Sequence, residues 1–265
     1  RVALTNNTRR HFCILKNISR NAAESIADFT YREQKQKLFI EDLKRFSIRT
    51  VLVYDYDEIT DLLKQVELKL KQKTVFISGA ISDYPVEYDK AKVDSFLHSF
   101  GVKLIEQGYC ITSGLGSGVG MTLLAGALES IYMGKGDINQ LIIRPFPISG
   151  KGKLFYDEHR RHLLENCGIA IFLFGNKLDN GKSVLSAGMR EEFEIARKMG
   201  LVVLPIGQTG VMAKQLYQEM STDITAYNQN SDKQWMEGLG KLADGSILGK
   251  ETISDLMSLL QKISI

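Results

Sequence analysis

The sequence predicts an α/β fold: a Rossmann-like parallel sheet preceded by the closing piece of another α/β unit. Three observations carry this. Short β-branched runs alternate with segments of helical period along the chain. Five such strand runs follow Thr74 in succession, and a glycine-dense turn, "SGLGSGVG" at Ser113–Gly120, joins the second of them to a helix. The 265 residues, 44% apolar and 25% charged, suffice for one large domain or two modest ones.

The elements follow in order. "FCILK" (Phe12 to Lys16) reads as a strand, "YREQKQKLFIEDLKRF" as an amphipathic helix, "RTVLVYD" as a strand and "EITDLLKQVELKL" as a helix. Two strands and two helices are too few for a complete doubly wound sheet. The chain begins at Arg1 without an initiator methionine, so a preceding segment is expected. The polar "KLKQKT" (Lys69 to Thr74) marks the boundary, dividing residues 1–73 from 74–265. Beyond it, strands are predicted at Val75 to Ser78, Tyr109 to Ser113, Gln140 to Arg144, Ile169 to Phe174 and Leu201 to Pro205. Helices fall near Lys90 to Glu106, Met121 to Tyr132, Asp157 to Glu165 and Glu191 to Met199; "WMEGLGKLADG" and "TISDLMSLLQKI" close the chain as helices. Gly108 and Gly200 directly follow helices, where glycine suits the C′ position.

Composition excludes several classes. The net charge is only +3, with a mild basic excess before residue 74, and no basic stripe interleaved with aromatics points to nucleic acid or a membrane surface. No apolar run approaches the roughly 20 residues of a membrane span, and no signal peptide is recognisable, so a cytoplasmic protein is expected. Cys13, Cys110 and Cys167 are widely spaced in apolar runs and read as free thiols. His159 and His162 stand at helical spacing without a completing ligand set, so no metal is expected.

In an open parallel sheet the ligand crevice lies beyond the carboxyl ends of the strands. Those ends read "SGAIS", "SGLGSGVG", "RPFP", "GNK" and "IGQTG". Glycines allow the backbone to approach an anion closely, and amides at a helix amino end point at it. The loop is either a phosphate cradle or a tightly packed turn. Its spacing is not G-x-G-x-x-G, the residue closing the third strand is Arg144 rather than a ribose-binding acid, and no Walker lysine is present. Arg144 either binds phosphate through its planar fork or pairs with a surface acid. Of Arg160 and Arg161 in "DEHRRHLL", one must point away from the other. Lys177 is a phosphate clamp or a solvated loop residue. Glu191 and Glu192 either complement a helix dipole or accept hydrogen bonds from a ribose diol.

With these motifs in hand, residues 75–265 resemble a SLOG domain, the nucleotide-binding relative of the LOG phosphoribohydrolases. The carriers are "VFISGA", "ITSGLGSGVG", "LIIRPFP", "YDEHRRHLLENCGIAIFLFGNK" and "REEFEIARKMGLVVLPIG". Residues 1–73 resemble the tail of a sirtuin-like domain, through "RRHFCIL" and "YREQKQKLFIEDLKRFSIRTVLVYDYDEITDLL". That order is similar to the effectors of Thoeris antiphage defence.

The resemblance implies that a TIR-domain enzyme makes a cyclic ADP-ribose isomer, that the SLOG domain binds it as activating ligand, and that the sirtuin-like domain then destroys NAD, its substrate. It further implies a homo-oligomer, dimer or tetramer. The implied ligand residues are Gly79, Ala80, the loop of Gly114, Leu115, Gly116, Ser117 and Gly118, then Arg144, Arg160, Arg161, Gly175, Asn176, Lys177 and Glu192. Two departures matter. The LOG motif P-G-G-x-G-T-x-x-E is replaced by "FGNKLDNGKSVLSAGMREEF", which speaks against LOG-type hydrolysis. The sirtuin nucleotide loop and catalytic histidine would precede Arg1, so this chain is not expected to cleave NAD.

Overall fold

The computed structural model describes residues 12–84, 88–147, 150–227, 233–243 and 248–263. They form two compact units that divide after Glu67, within the helix that carries the expected boundary region.

In the first unit, β1 (Phe12–Lys16) pairs in parallel with β2 (Arg49–Val53), Ile14 opposite Val51. The crossover is α1 (Ile26–Arg45), whose cap Ser25 accepts a hydrogen bond from the Asp28 amide. α1 buries no residue fully and leaves Tyr31, Leu38 and Phe39 exposed. α2 (Asp57–Gln72) follows.

The second unit is built on a fully parallel five-stranded sheet in the order β5-β4-β3-β6-β9. Its strands are β3 (Thr74–Ala80), β4 (Cys110–Ser113), β5 (Leu141–Ile143), β6 (Ile169–Phe174) and β9 (Val202–Pro205). All six residues of β6, "IAIFLF", are buried, as expected of a strand covered on both faces. Flanking helices are α3 (Lys90–Glu106), α4 (Gly120–Tyr132), α5 (Tyr156–Leu164), α6 (Ala187–Lys198), α7 (Val211–Ser221), α8 (Ile224–Tyr227), α9 (Lys233–Gly240) and α10 (Lys250–Ile263). α3 and α4 cross closely because each offers a glycine: a Cβ on Gly101 would lie 2.0 Å from the Leu123 carbonyl oxygen, and one on Gly126 2.0 Å from that of His98.

The α/β class and the five predicted strands are therefore present, each within two residues of expectation. Several features differ. α6 begins at Ala187 rather than Glu191, because Ser186 caps it by accepting from the Met189 amide at 3.4 Å. The segment after β6 is an antiparallel hairpin of β7 (Asn176–Asp179) and β8 (Lys182–Leu185). Its Asn180-Gly181 turn has both φ angles positive, 49° and 76°, the hairpin geometry that Asn-Gly favours. α7 and α8 have no counterpart in the sequence reading, and α1 begins at Ile26, five residues before the expected segment, where Ser25 caps it. The predicted "WMEGLGKLADG" helix is shorter than expected, α9 ending at Gly240 with a turn over residues 241–243, and residues 244–245 lie outside the described residues.

Candidate functional site

β3 pairs with β4 on one side and β6 on the other, and the chain travels outward through β4 to β5 before returning to β6. The connections leaving β3 and β6 therefore diverge, which opens a crevice at their carboxyl ends. A cleft of ≈ 620 Å³, counting its solvent-open mouth, lies there. Its walls are the end of β3, the glycine loop, α5 and the first turns of α6.

The glycine loop is held by backbone contact. A Cβ on Gly116 would lie 1.8 Å from the Gly79 carbonyl oxygen, and one on Gly118, at φ +72°, 2.2 Å from that of Ile81. The Ile81 amide donates to the Ser117 carbonyl at 2.8 Å, tying the two loops together. Leu115 sits in the left-handed region at φ 58°, and its amide donates to the Ser113 hydroxyl at 3.2 Å. Gly120 N donates to Gly116 O at 2.9 Å and starts α4, which has no side-chain cap. Among the described residues the amides of Gly116, Ser117 and Gly118 find no acceptor. The loop shows the close packing that the sequence left as one alternative, and of its three unpaired amides that of Gly116 belongs to a residue lining the cleft.

Across the cleft stand Arg160 of α5 and Glu192 of α6, only 6% and 8% exposed. The Ser78 hydroxyl donates to Glu192 Oε2. Burial pushes the Glu192 carboxyl up to about 7, against the downward pull of the Ser78 hydrogen bond and the Arg160 charge. Arg160 Nη1 meets Glu191 Oε2 at 2.5 Å and Asp157 Oδ1 at 2.9 Å, while Nε lies 4.0 Å from Glu192 Oε1. Arg160 Nε is buried with no hydrogen-bond partner. Phe146 and Tyr156 place their ring centres 5.5 and 5.6 Å from the guanidinium carbon, and Gly188 leaves room beside it.

The structure thus gathers Gly79, Ala80, Gly114, Gly116, Arg160 and Glu192 around one cleft. Arg161 is exposed on the opposite flank of α5, as two adjacent helical residues must diverge. Arg144 turns away: its Nη1 donates to the His162 carbonyl at 2.7 Å, and Glu165 lies 4.0 Å off. Gly175, at φ +102°, packs on Met189 and Met212, and its amide donates to Ala80 O at 2.8 Å. Asn176 is buried, accepting from the Ser82 amide at 2.9 Å and donating to Asp83 O, so it pins the loop after β3. Lys177 is exposed at the root of the hairpin. Leu115, Ser117 and Gly118 shape the loop without lining the cleft.

Phe146, Tyr156, Ser78, Ser186 and Met189 also line the cleft and were not among the expected residues. The signal for Phe146 and Ser78 was present, since both follow or close strands in "RPFP" and "FISG". No group of three His, Cys, Asp or Glu among the described residues is arranged as a metal site, and none of their helices is long and apolar enough to cross a membrane.

Fold and cleft define a Rossmann-like α/β domain with a glycine-walled crevice at its switch point, largely apolar in lining with a buried Arg160 and Glu192. The family is shown by comparison: the chain belongs to the STALD, or Sir2- and TIR-associating SLOG, family, whose model matches residues 58–263. A protein named NAD(+) hydrolase ThsA from Bacillus cereus (strain MSX-D12) is 36% identical over 266 residues, covering 100% of this chain and 56% of that protein. Proteins of the same name from Acinetobacter baumannii (strain 532279) and Enterococcus faecium are each 34% identical, covering 99% of this chain and 55% and 56% of their own lengths. The chain spans about half the length of these curated relatives.

Proposed function

We propose that this chain is the signal-receiving part of an NAD-depleting antiphage effector of the bacterial cytoplasm. Its cleft binds a cyclic ADP-ribose isomer made by a TIR-domain enzyme, and binding switches on NAD hydrolysis by a sirtuin-like domain whose closing part is the first unit. The observation that carries this reading is the pairing of a buried, under-partnered arginine with a buried carboxylate in a cleft also lined by Gly116, whose amide has no acceptor among the described residues. Cations and amides suit a pyrophosphate, and the acid suits ribose hydroxyls. The names of the relatives support the NAD-hydrolysing context.

Calorimetry of this chain against cyclic ADP-ribose isomers, AMP and NAD tests it. The expected result is saturable binding of one cyclic isomer, recovered unchanged afterwards; absence of binding by every cyclic isomer overturns the reading. The effector is proposed to act as a dimer or tetramer; sedimentation velocity of this chain with and without ligand tests this, and a monomer under both conditions overturns it.

A second reading is favoured by one observation. A carboxyl raised to about 7 beside a hydroxyl and an arginine is suited to general acid-base work, as in a nucleoside monophosphate phosphoribohydrolase. Free base released from AMP would establish it, and release that persists in Glu192→Gln would exclude this residue as the acid.

A further inference from the structure

Arg160 is the most deeply buried cation facing the cleft, yet its Nη1 is already engaged by two carboxylates that are themselves largely in solvent. The Arg160 side chain is 7% exposed, whereas Glu191 is 53% and Asp157 79% exposed. Glu191 holds the closer contact, 2.5 Å against 2.9 Å for Asp157. Glu192, 4.0 Å from Nε, is buried and tied to Ser78, so it is not free to leave. Three acids therefore surround one buried base, and its Nε still has no partner.

We propose that Glu191 is an affinity-setting competitor: it occupies the arginine in the empty site and must release it when an anionic ligand enters. The inference rests on the reading of the cleft as a nucleotide site. Two carboxylate oxygens on one guanidinium nitrogen present negative charge as phosphate oxygens do, so acid and ligand compete for the same donor. Glu191 is the one that yields. Asp157 lies one turn before Arg160 on its own helix, at i−3, and can follow it, whereas Glu191 reaches across from α6. Its exposure makes release inexpensive, because the freed carboxylate is already half in water. The neighbouring glutamates thus have opposite roles, Glu192 receiving the ligand and Glu191 opposing it. A ligand with little negative charge lacks the means to displace Glu191, so the competitor selects against uncharged nucleosides.

The test is calorimetry of this chain and of Glu191→Gln with cyclic ADP-ribose isomers, AMP and adenosine. Glu191→Gln keeps the shape and removes the charge. The phosphate-bearing ligands are expected to bind about fivefold more tightly, equivalent to roughly 1 kcal/mol, with adenosine unchanged. An unchanged or weaker affinity for the phosphate-bearing ligands overturns the inference, since it makes Glu191 a positioning residue for Arg160 or an idle one. An equal gain for adenosine overturns it too, because the effect is then not electrostatic. Asp157→Asn is expected to give a smaller gain; a larger gain than that of Glu191→Gln reverses the assignment. If the unaltered chain binds none of the probes and Glu191→Gln gains none, the nucleotide reading fails with it; if the unaltered chain binds, only the role of Glu191 is at stake.

Discussion

Glu192 gives the sharpest physical prediction, because its environment penalises ionisation strongly. Its carboxyl rises from the ordinary 4.5 to about 7, chiefly through burial. The sign follows from proton counting. Below about pH 4.5 the carboxyl is protonated in both states and contributes no pH dependence. Between about 4.5 and 7 the folded chain holds a proton that the unfolded chain has lost, so stability falls as pH rises. Above about 7 both states are ionised and the loss is complete. At 1.36 kcal/mol per pH unit, the full span corresponds to roughly 3 kcal/mol, a large fraction of a typical domain's stability. Urea denaturation of this chain and of Glu192→Gln at intervals from pH 5 to pH 8 measures it. The unaltered chain is expected to lose stability relative to the variant by about 2 to 3 kcal/mol across that range. Parallel profiles would refute the claim that burial, rather than the Arg160 charge, governs Glu192.

Other outcomes follow from the same geometry. Gly116→Ala sets a Cβ 1.8 Å from a backbone oxygen and is expected to cost at least about 2 kcal/mol in thermal or urea unfolding. Arg160→Ala is expected to weaken binding of the cyclic ligand by one to two orders of magnitude, on the order of a charge-assisted hydrogen bond, while Arg161→Ala stays within about twofold by calorimetry. Lys177→Glu, at an exposed position outside the cleft lining, is expected to leave the unfolding free energy within about 0.5 kcal/mol of the unaltered chain; the proposed nucleotide reading further expects it to weaken binding about tenfold, read in the same calorimetric series. Asn176→Ala removes the hydrogen bonds that hold the loop after β3 and is expected to destabilise the chain by roughly 1 to 3 kcal/mol.

Strand placement was legible because buried parallel strands leave continuous apolar runs, as "IAIFLF" does, and the crevice followed from where those runs end. The start of α6 was not, because the acidic pair Glu191-Glu192 imitates a first turn while the true cap, Ser186, stands five residues before Glu191. The hairpin was legible in "DNG" and went unread between two stronger elements. At the site, the residues themselves left Arg160 and Arg161, and Glu191 and Glu192, as alternatives that the resemblance narrowed to Glu192 and to Arg160 with its neighbour, whereas the fate of Arg144 depended on a carbonyl at His162, eighteen residues on. No local pattern reports such a contact. Likewise Asn176 stands at a strand end, as a ligand residue would, but its amide is spent on Ser82 and Asp83, more than ninety residues earlier.

The site's parts differ in how freely they can move, and this bears on what the cleft can recognise. The cradle cannot widen without breaking the Ile81 to Ser117 bond or parting Gly116 from Gly79, and Glu192 cannot withdraw without abandoning Ser78 in a buried setting. The spacing between the unpaired amides and that carboxylate is therefore fixed before any ligand arrives. Lys177 and Glu191 stand in solvent and can rearrange at little cost. On the nucleotide reading proposed above, a ligand would have to match this fixed spacing with its pyrophosphate and ribose, whose separation changes between cyclic isomers of different linkage. That reading assigns linkage selectivity to the buried, preorganised groups and overall affinity to the exposed ones. Substitutions at Glu191 and Lys177 should accordingly shift the affinities of all cyclic isomers by similar factors, leaving their ranking intact. Glu192→Asp, which shortens the carboxylate's reach from a fixed base, should reorder them in the same calorimetric series. A changed ranking in Glu191→Gln with an unchanged one in Glu192→Asp would show that the selectivity lies in the mobile groups instead.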